Sequence, residues 1–272
     1  MKDLRTKYGQ YAVVTGASAG IGAEFAAQLA ALGFNLVLVA RRKERLSELA
    51  DRLRSDHGTN SEVVELDLAT EGAVGELARR TQHLDVGVVV ASAGVLTSGQ
   101  FINNSLEAET ALLNLNLVVP MQIAHVYGEL FAERRRGALI LLASTIAFAP
   151  APYLANYAAA KAYIASLGQS LNYELKGFGV DVLTLAPGPT RTEGVETADG
   201  IDFEKLPLPM AAPAKVVKKA LRALGRKPLL VPGATNKVSD FCGKYLTPRR
   251  VQTFMFGKLL SRAATTQRPS PM

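Results

Sequence analysis

The chain is 272 residues long and 48% hydrophobic, enough to bury a large core, and the expectation is one domain spanning 1–272. Its net charge of +7 invites a nucleic-acid reading, but the basic residues are dispersed, clustering only at Arg41-Arg42-Lys43 and Arg134-Arg135-Arg136 with no recognition motif beside them, so nucleic acid is not expected. The single cysteine, Cys242, excludes an internal disulfide framework and any multi-cysteine metal site.

Residues 1–8 hold no apolar run of the kind a secretory signal needs, and a cytoplasmic location is the expectation. Tyr11-Ala12-Val13-Val14 reads as a strand, Thr15-Gly16-Ala17-Ser18-Ala19-Gly20-Ile21-Gly22 as a turn, and 23–30 as the helix it opens. Glycines in such a turn let the backbone approach a ligand, while the N–H groups and positive end of the helix attract a pyrophosphate. This is a dinucleotide site in outline, although the spacing of Gly16, Gly20 and Gly22 differs from the GxGxxG of most such turns. The next strand, 35–40, ends in Arg41-Arg42. A carboxylate there would accept from a ribose 2′-hydroxyl and repel a 2′-phosphate. With none at Ala40 and two guanidinium groups following, NADP(H) is favoured over NAD(H), through Arg41 first and Arg42 second, since Arg42 also begins the helix Lys43-Glu44-Arg45-Leu46.

Further strands read at 62–66, 86–91, 138–143, 181–185 and 229–231, alternating with helical segments. Runs such as Leu36-Val37-Leu38-Val39 and Val88-Val89-Val90 suit strands buried on both faces, and the order predicts a doubly wound α/β fold with a parallel sheet. No charged side chain lies between 138 and 160, a length that would span a membrane, but Pro150, Pro152 and Asn156 interrupt it. It reads instead as a buried strand, a polar loop and a helix start. On that helix Tyr157 and Lys161, four residues apart, share one face, and a nearby cation would favour the phenolate of a group whose pKa is ordinarily ~10. The Pro-, Thr- and Gly-rich stretch within 188–215 lacks a clear period and reads as a mobile segment over the carboxyl edge of the sheet, where ligands bind. The separations of His57, His83 and His125 match no metal-ligand motif, and no metal is expected. Beyond Pro232, apolar residues including Phe241, Tyr245, Leu246, Phe254, Met255, Phe256 and Leu260 alternate with Lys244, Arg249, Arg250, Lys258 and Arg262. This amphipathic extension, 233–272, reads as a flap over the site or a subunit contact, ahead of a peripheral membrane contact.

These motifs together resemble the short-chain dehydrogenase/reductase family over about residues 10–192, more loosely to about 232. Thr15 to Gly22 is similar to its TGxxxGxG turn, Tyr157 and Lys161 to its YxxxK, and Pro187-Gly188-Pro189-Thr190-Arg191-Thr192 to its PGxxxT segment. Ser144 stands thirteen residues before Tyr157, as the family's serine does, and Asn116 matches its asparagine, with Asn114 a rival. The resemblance implies a single-domain Rossmann fold with a parallel sheet of about seven strands and a cofactor-binding core at 10–187. It implies an oxidoreductase in which the cofactor supplies hydride and Tyr157 exchanges a proton with the substrate oxygen, assisted by Ser144, Lys161 and Asn116. Lys161 would lower the Tyr157 pKa and hold the nicotinamide ribose, and Asn116 would hold a water. The implied cofactor contacts are Gly16, Ser18, Ala19, Gly20, Ile21 and Gly22 in the turn, then Arg41, Arg42, Asp67 and Leu68 around the adenosine. Ala93, Gly94, Tyr157, Lys161, Pro187, Gly188, Thr190 and Thr192 complete them towards the nicotinamide. One departure stands out: Ala91-Ser92 replaces the family's Asn-Asn, so the hydrogen bonds of two amides must be found elsewhere.

The tail and Arg41 are similar to the ketoacyl- and hydroxysteroid-type branch, implying a small-molecule carbonyl or alcohol substrate of apolar character. The family's pairing of subunits implies a homodimer or homotetramer built on helices over 104–133 and 155–177. The alternative is a cofactor-binding regulatory protein with little or no turnover, which the intact Ser144, Tyr157 and Lys161 argue against.

Overall fold

The computed structural model describes residues 4–196, 200–206, 209–233, 236 and 247–264. Its strands are β1 (Tyr11–Thr15), β2 (Asn35–Ala40), β3 (Ser61–Glu65), β4 (Val86–Ala91), β5 (Gly137–Leu142), β6 (Val180–Leu185) and β7 (Leu229–Leu230). The described helices are α1 (Leu4–Tyr8), α2 (Gly20–Ala31), α3 (Lys43–His57), α4 (Ala73–Thr81), α5 (Leu106–Leu113), α6 (Val119–Glu133), α7 (Ala155–Lys176), α8 (Glu193–Glu196), α9 (Pro213–Ala223) and α10 (Arg249–Ala263). The strands join in one sheet in the order β3-β2-β1-β4-β5-β6-β7. Each neighbouring pair is parallel, as expected for a doubly wound α/β fold of about seven strands.

Alternation along each strand explains the two layers of helices. Val14, Leu36, Leu38, Val88 and Ile140 point to one face, where Phe25 and Leu29 of α2, Leu46 and Leu49 of α3 and Val217 of α9 cover them. Their neighbours Val13, Val37, Val89, Leu139 and Leu141 point to the other, under Leu77 of α4, Ile123 and Tyr127 of α6 and Ile164 of α7. All six residues of β4 are buried, which is why its sequence shows no polar alternation.

β2 and β4 occupy the expected 35–40 and 86–91, while β3 and β5 lie one residue earlier than expected, β6 begins one earlier and β7 ends one earlier. The uncharged stretch 138–160 is β5, a 3₁₀ turn at Thr145–Phe148 and the start of α7, and no described helix is long and apolar enough to cross a membrane. One expectation changes. The helix expected over 104–133 is interrupted by a π turn at Asn114–Val118, which sets Asn116 off the α-helical register of its neighbours. Among the described residues of 188–213, Arg191 N donates to Ala211 O at 3.0 Å and Ala211 N to Pro189 O at 2.9 Å, and α8 and a 3₁₀ turn at Phe203–Lys205 lie between.

Phe241, Cys242, Lys244, Tyr245 and Leu246 lie outside the described residues. The rest of the tail is α10, whose Leu260 and Ala263 are buried with Ala151, Leu154, Ala158, Ile201 and Leu206. Its end is fastened by Asp202 N donating to Ala263 O at 2.8 Å and by a bridge between Ile201 and Ala264. Phe254 and Met255 remain 71% and 60% exposed, so apolar surface lies beside a cavity that the same residues line.

Candidate active site

A cavity of about 1080 Å³ opens along the carboxyl edge of the sheet, at the β1/β4 reversal of strand order where this architecture places ligands. Every sequence-expected site residue except Asn116 lines it. Gly16 and Gly20 have φ of 66° and 57°, a region that favours glycine. A Cβ on Gly16 would lie 2.9 Å from the Ala93 backbone, and one on Gly22 would overlap the Gly16 carbonyl, so packing also requires both glycines. Ala19, which precedes α2, makes no side-chain cap, leaving the first-turn N–H groups facing the cavity for an anion. The cradle thus has the space, the donors and the polarity for a pyrophosphate.

The Ala91-Ser92 departure finds its compensation in β1. Thr15 Oγ1 donates to Val90 O at 3.2 Å and accepts from Ser92 N at 3.1 Å and Ala93 N at 3.2 Å, while Ser92 Oγ donates to Thr15 O. Two hydroxyls therefore tie the ends of β1 and β4 under the glycine turn. Thr15 belongs to the glycine-turn motif, but its bond to β4 carries no sequence signal.

At the β2–β3 end of the cavity, Asp67 accepts from Ala69 N at 3.0 Å and stands 3.9 Å from Arg41 Nη1, with Leu68 buried beside it. Arg42 turns back over the glycine loop, donating through Nε and Nη2 to Ser18 Oγ at 3.3 and 3.0 Å and through Nη1 to Glu193 Oε1 at 2.7 Å. Towards β6, Ser144 Oγ donates weakly to Pro187 O at 3.4 Å and Thr190 Oγ1 to Gly188 O at 2.9 Å. Thr192 packs on Gly20.

Tyr157 and Lys161 face the cavity from the first turns of α7, and Ser144 reaches it from the end of β5. Lys161 Nζ donates to Leu142 O at 2.9 Å and lies 5.6 Å from the centroid of the Tyr157 ring. Burial destabilises both charged forms: the Lys161 ammonium is brought down to about 8 and the Tyr157 phenol pushed up to about 12, the Ser144 hydroxyl offsetting part of the latter. The expected depression of the Tyr157 pKa is therefore reversed in this structure. Desolvation is the largest influence on the phenol, offset in part by Ser144, while the Lys161 ammonium lies over the ring face and donates a hydrogen bond to Leu142 O. Tyr157 is protonated at neutral pH, the state required of a proton donor.

Asn116, 1% exposed, uses both ends of its amide on one residue: Val95 N donates to its Oδ1 at 2.9 Å, and its Nδ2 donates to Val95 O at 2.7 Å. It flanks Gly94, where an added Cβ would meet Asn116 Oδ1 at 2.8 Å and Lys161 Nζ at 3.8 Å. Its rival Asn114 points away, donating to Ala69 O at 2.7 Å. Sequence reasoning also missed Glu109, a buried carboxylate held by Nδ2 of Asn104 and Nδ2 of Asn156, both at 2.6 Å. Because Asn156 immediately precedes Tyr157, this contact steadies the first turn of α7. No spacing rule connects 109 to 156.

Comparison with known proteins agrees with this geometry. The family model described as short chain dehydrogenase matches residues 10–200. A 7beta-hydroxysteroid dehydrogenase of Collinsella aerofaciens is 31% identical over 239 residues, covering 87% of this chain and 91% of the relative. A solved structure described as giving insights into 7beta-hydroxysteroid dehydrogenase stereoselectivity superposes with a TM-score of 0.85 at 30% identity, covering 93% of this chain and 99% of that one. A short-chain dehydrogenase from Sphingobium yanoikuyae in complex with NADPH superposes with a TM-score of 0.78 at 32% identity, covering 86% and 92%. With the glycine cradle, the Tyr157–Lys161 face and these relatives in agreement, the chain belongs to the short-chain dehydrogenase/reductase family, as an oxidoreductase of the hydroxysteroid and ketoacyl reductase type acting on CH–OH and C=O groups.

Proposed function

We propose that this protein interconverts a bulky, largely apolar ketone and its secondary alcohol in the cytoplasm, using NADP(H) in preference to NAD(H). The observation that carries the reading is the convergence of Ser144, Tyr157 and Lys161 on one cavity, between the glycine cradle and an apolar wall that includes Phe203, Leu206, Phe256 and Leu259. The names of the relatives support a steroid-like substrate, and the NADPH complex of the Sphingobium relative supports the cofactor.

The residues divide the work by position. Gly16, Ser18, Ala19, Gly20, Ile21 and Gly22 hold the pyrophosphate on backbone N–H groups and the α2 N-terminus. Arg41 and Arg42 face the 2′-phosphate, and Asp67 and Leu68 the adenine. Ala93, Gly94, Pro187, Gly188, Thr190 and Thr192 position the nicotinamide end. When bound, the dihydronicotinamide supplies the hydride. Tyr157 gives its proton to the carbonyl oxygen as negative charge develops there, and Ser144 donates a hydrogen bond that strengthens with that charge. Lys161, cationic at neutral pH, compensates the phenolate left on Tyr157. Asn116 acts through structure, holding the Val95 backbone beside Gly94.

Burial keeps the phenol protonated at neutral pH, the state in which it can donate to a carbonyl oxygen. Subunit pairing through α6 and α7 is part of this reading, supported by exposed Leu130, Tyr163 and Tyr173, and light scattering of the purified protein at dimer or tetramer mass is the expected result. The test of function is NADPH oxidation with a panel of aldehydes, simple ketones and oxo-steroids. Turnover should be greatest with the bulky ketones. Tight NADPH binding without oxidation of any of them would instead favour a regulatory cofactor-binding protein.

A further inference from the structure

Cofactor choice in this architecture is ordinarily read at the end of the second strand, where Arg41 and Arg42 stand. The structure adds a charge from the other side of the cleft. Glu193, at the start of α8, places Oε1 2.7 Å from Arg42 Nη1 and Oε2 2.6 Å from Arg45 Nη1. The two guanidinium groups hold its carboxyl down at about 2, so it is charged throughout the range in which the protein would be assayed. Arg42 is also anchored on Ser18 Oγ, inside the glycine turn. Ser18, Arg42, Glu193 and Gly194 all line the cavity, and Thr192 packs against Gly20, so residues 192–193 reach from the β6 side to the β2 side across the turn.

This arrangement puts a carboxylate on a guanidinium proposed to meet the 2′-phosphate. Arg42 offers five N–H groups: Ser18 engages Nε and Nη2 and Glu193 engages Nη1, so a phosphate must share the guanidinium with Glu193 or displace it. Displacement is feasible. The Arg42 and Glu193 side chains are 43% and 38% exposed, and ion pairs in such settings are individually weak. Arg41, 69% exposed and 3.9 Å from Asp67, is the guanidinium of this strand end with the looser carboxylate contact.

We propose that Glu193 is a specificity-determining residue that opposes the 2′-phosphate: it occupies Arg42 and Arg45 in its place, weakens the preference for NADP(H) over NAD(H), and must release Arg42 for the phosphate to bind fully. The proposal rests on the reading of the cavity as a nicotinamide dinucleotide site.

The test is fluorescence titration of the purified full chain with NADPH and with NADH, for the parent, Glu193→Gln, Arg42→Gln and the double variant. Glu193→Gln is expected to tighten NADPH binding by about fivefold to tenfold, the scale of adjacent charges in water, and to leave NADH binding within about twofold. In the Arg42→Gln background the same substitution is expected to lose most of that gain, because the contested donor is gone. The proposal is overturned if Glu193→Gln leaves NADPH binding unchanged or weakens it, if it shifts both cofactors equally, or if the gain persists without Arg42. A parent that binds neither cofactor overturns the functional reading itself. A parent that binds them, with a Glu193→Gln variant that does not discriminate, overturns only the role of Glu193.

Discussion

The two ends of the cavity are built on opposite principles. At the end proposed as catalytic, Tyr157 and Lys161 on α7, Asn116 on the π turn and Ser144 just after β5 are buried or half-buried: Lys161 is 6% exposed and its pKa falls to about 8. At the end proposed for the adenosine, Arg41, Arg42, Arg45, Asp67 and Glu193 are charged side chains in contact with water, paired with one another. Desolvation acts on each group regardless of partners and is hard to screen, whereas exposed ion pairs exchange readily and weaken with salt. The buried end is therefore suited to fixed chemistry, and the exposed end to a choice between similar ligands.

If this contrast holds, substitutions at the buried end have large effects on turnover or stability, and those at the exposed end have small, cofactor-specific ones. Tyr157→Phe removes the proton donor and is expected to lower kcat by on the order of 10²–10⁴-fold, with NADPH affinity retained in a titration. Substantial turnover in that variant would remove Tyr157 from the mechanism. Asn116→Ala leaves the Val95 N–H and C=O without their partner and is expected to cost about 2–3 kcal/mol, read as a lower denaturation midpoint. An unchanged midpoint would show that the amide bridge is dispensable.

The Lys161 charge is present below about 8 and lost above it, so kcat/KM for carbonyl reduction should be level near neutrality and fall as pH rises through about 8. Lys161→Arg keeps its charge, and any residual activity should lack that fall; a parent profile flat to pH values well above 8 would contradict the assignment. Arg41→Ala, at the exposed end, is expected to weaken NADPH by only about threefold to tenfold and to spare NADH. Equal NADPH efficiency in variant and parent would remove Arg41 from cofactor recognition.

What was legible in the sequence divides along the same line. Apolar runs locate β2 and β4 to the residue because strands buried on both faces admit no polar interruption. The glycine turn was legible because its positions are imposed by backbone geometry, and the structure shows the left-handed φ at Gly16 and Gly20 that such a motif requires. The π turn was not legible, since Asn114-Leu115-Asn116-Leu117-Val118 has ordinary helical composition. The direction of the Tyr157 shift was not legible either: i, i+4 spacing predicts a neighbouring cation, but desolvation depends on how the folded chain buries the phenol, which spacing along one helix does not report. Glu193 escaped for a different reason. It meets Arg42 across 151 positions of chain, and a glutamate in a Pro- and Thr-rich segment without helical or strand period has nothing to mark it.

Tyr157, Ser144 and Lys161 are proposed to promote hydride transfer from NADPH to a bulky ketone, and the fate of the hydride reads this out. That role is tested most directly by supplying the purified protein with NADPH deuterated at the transferable C4 position and an oxo-steroid, and locating the label by mass spectrometry. The account predicts deuterium on the carbinol carbon of the product with the parent protein, and almost none over the same period with Tyr157→Phe holding bound NADPH. Label retained on the cofactor with the parent across the ketone panel, or transferred equally well by Tyr157→Phe, would contradict it.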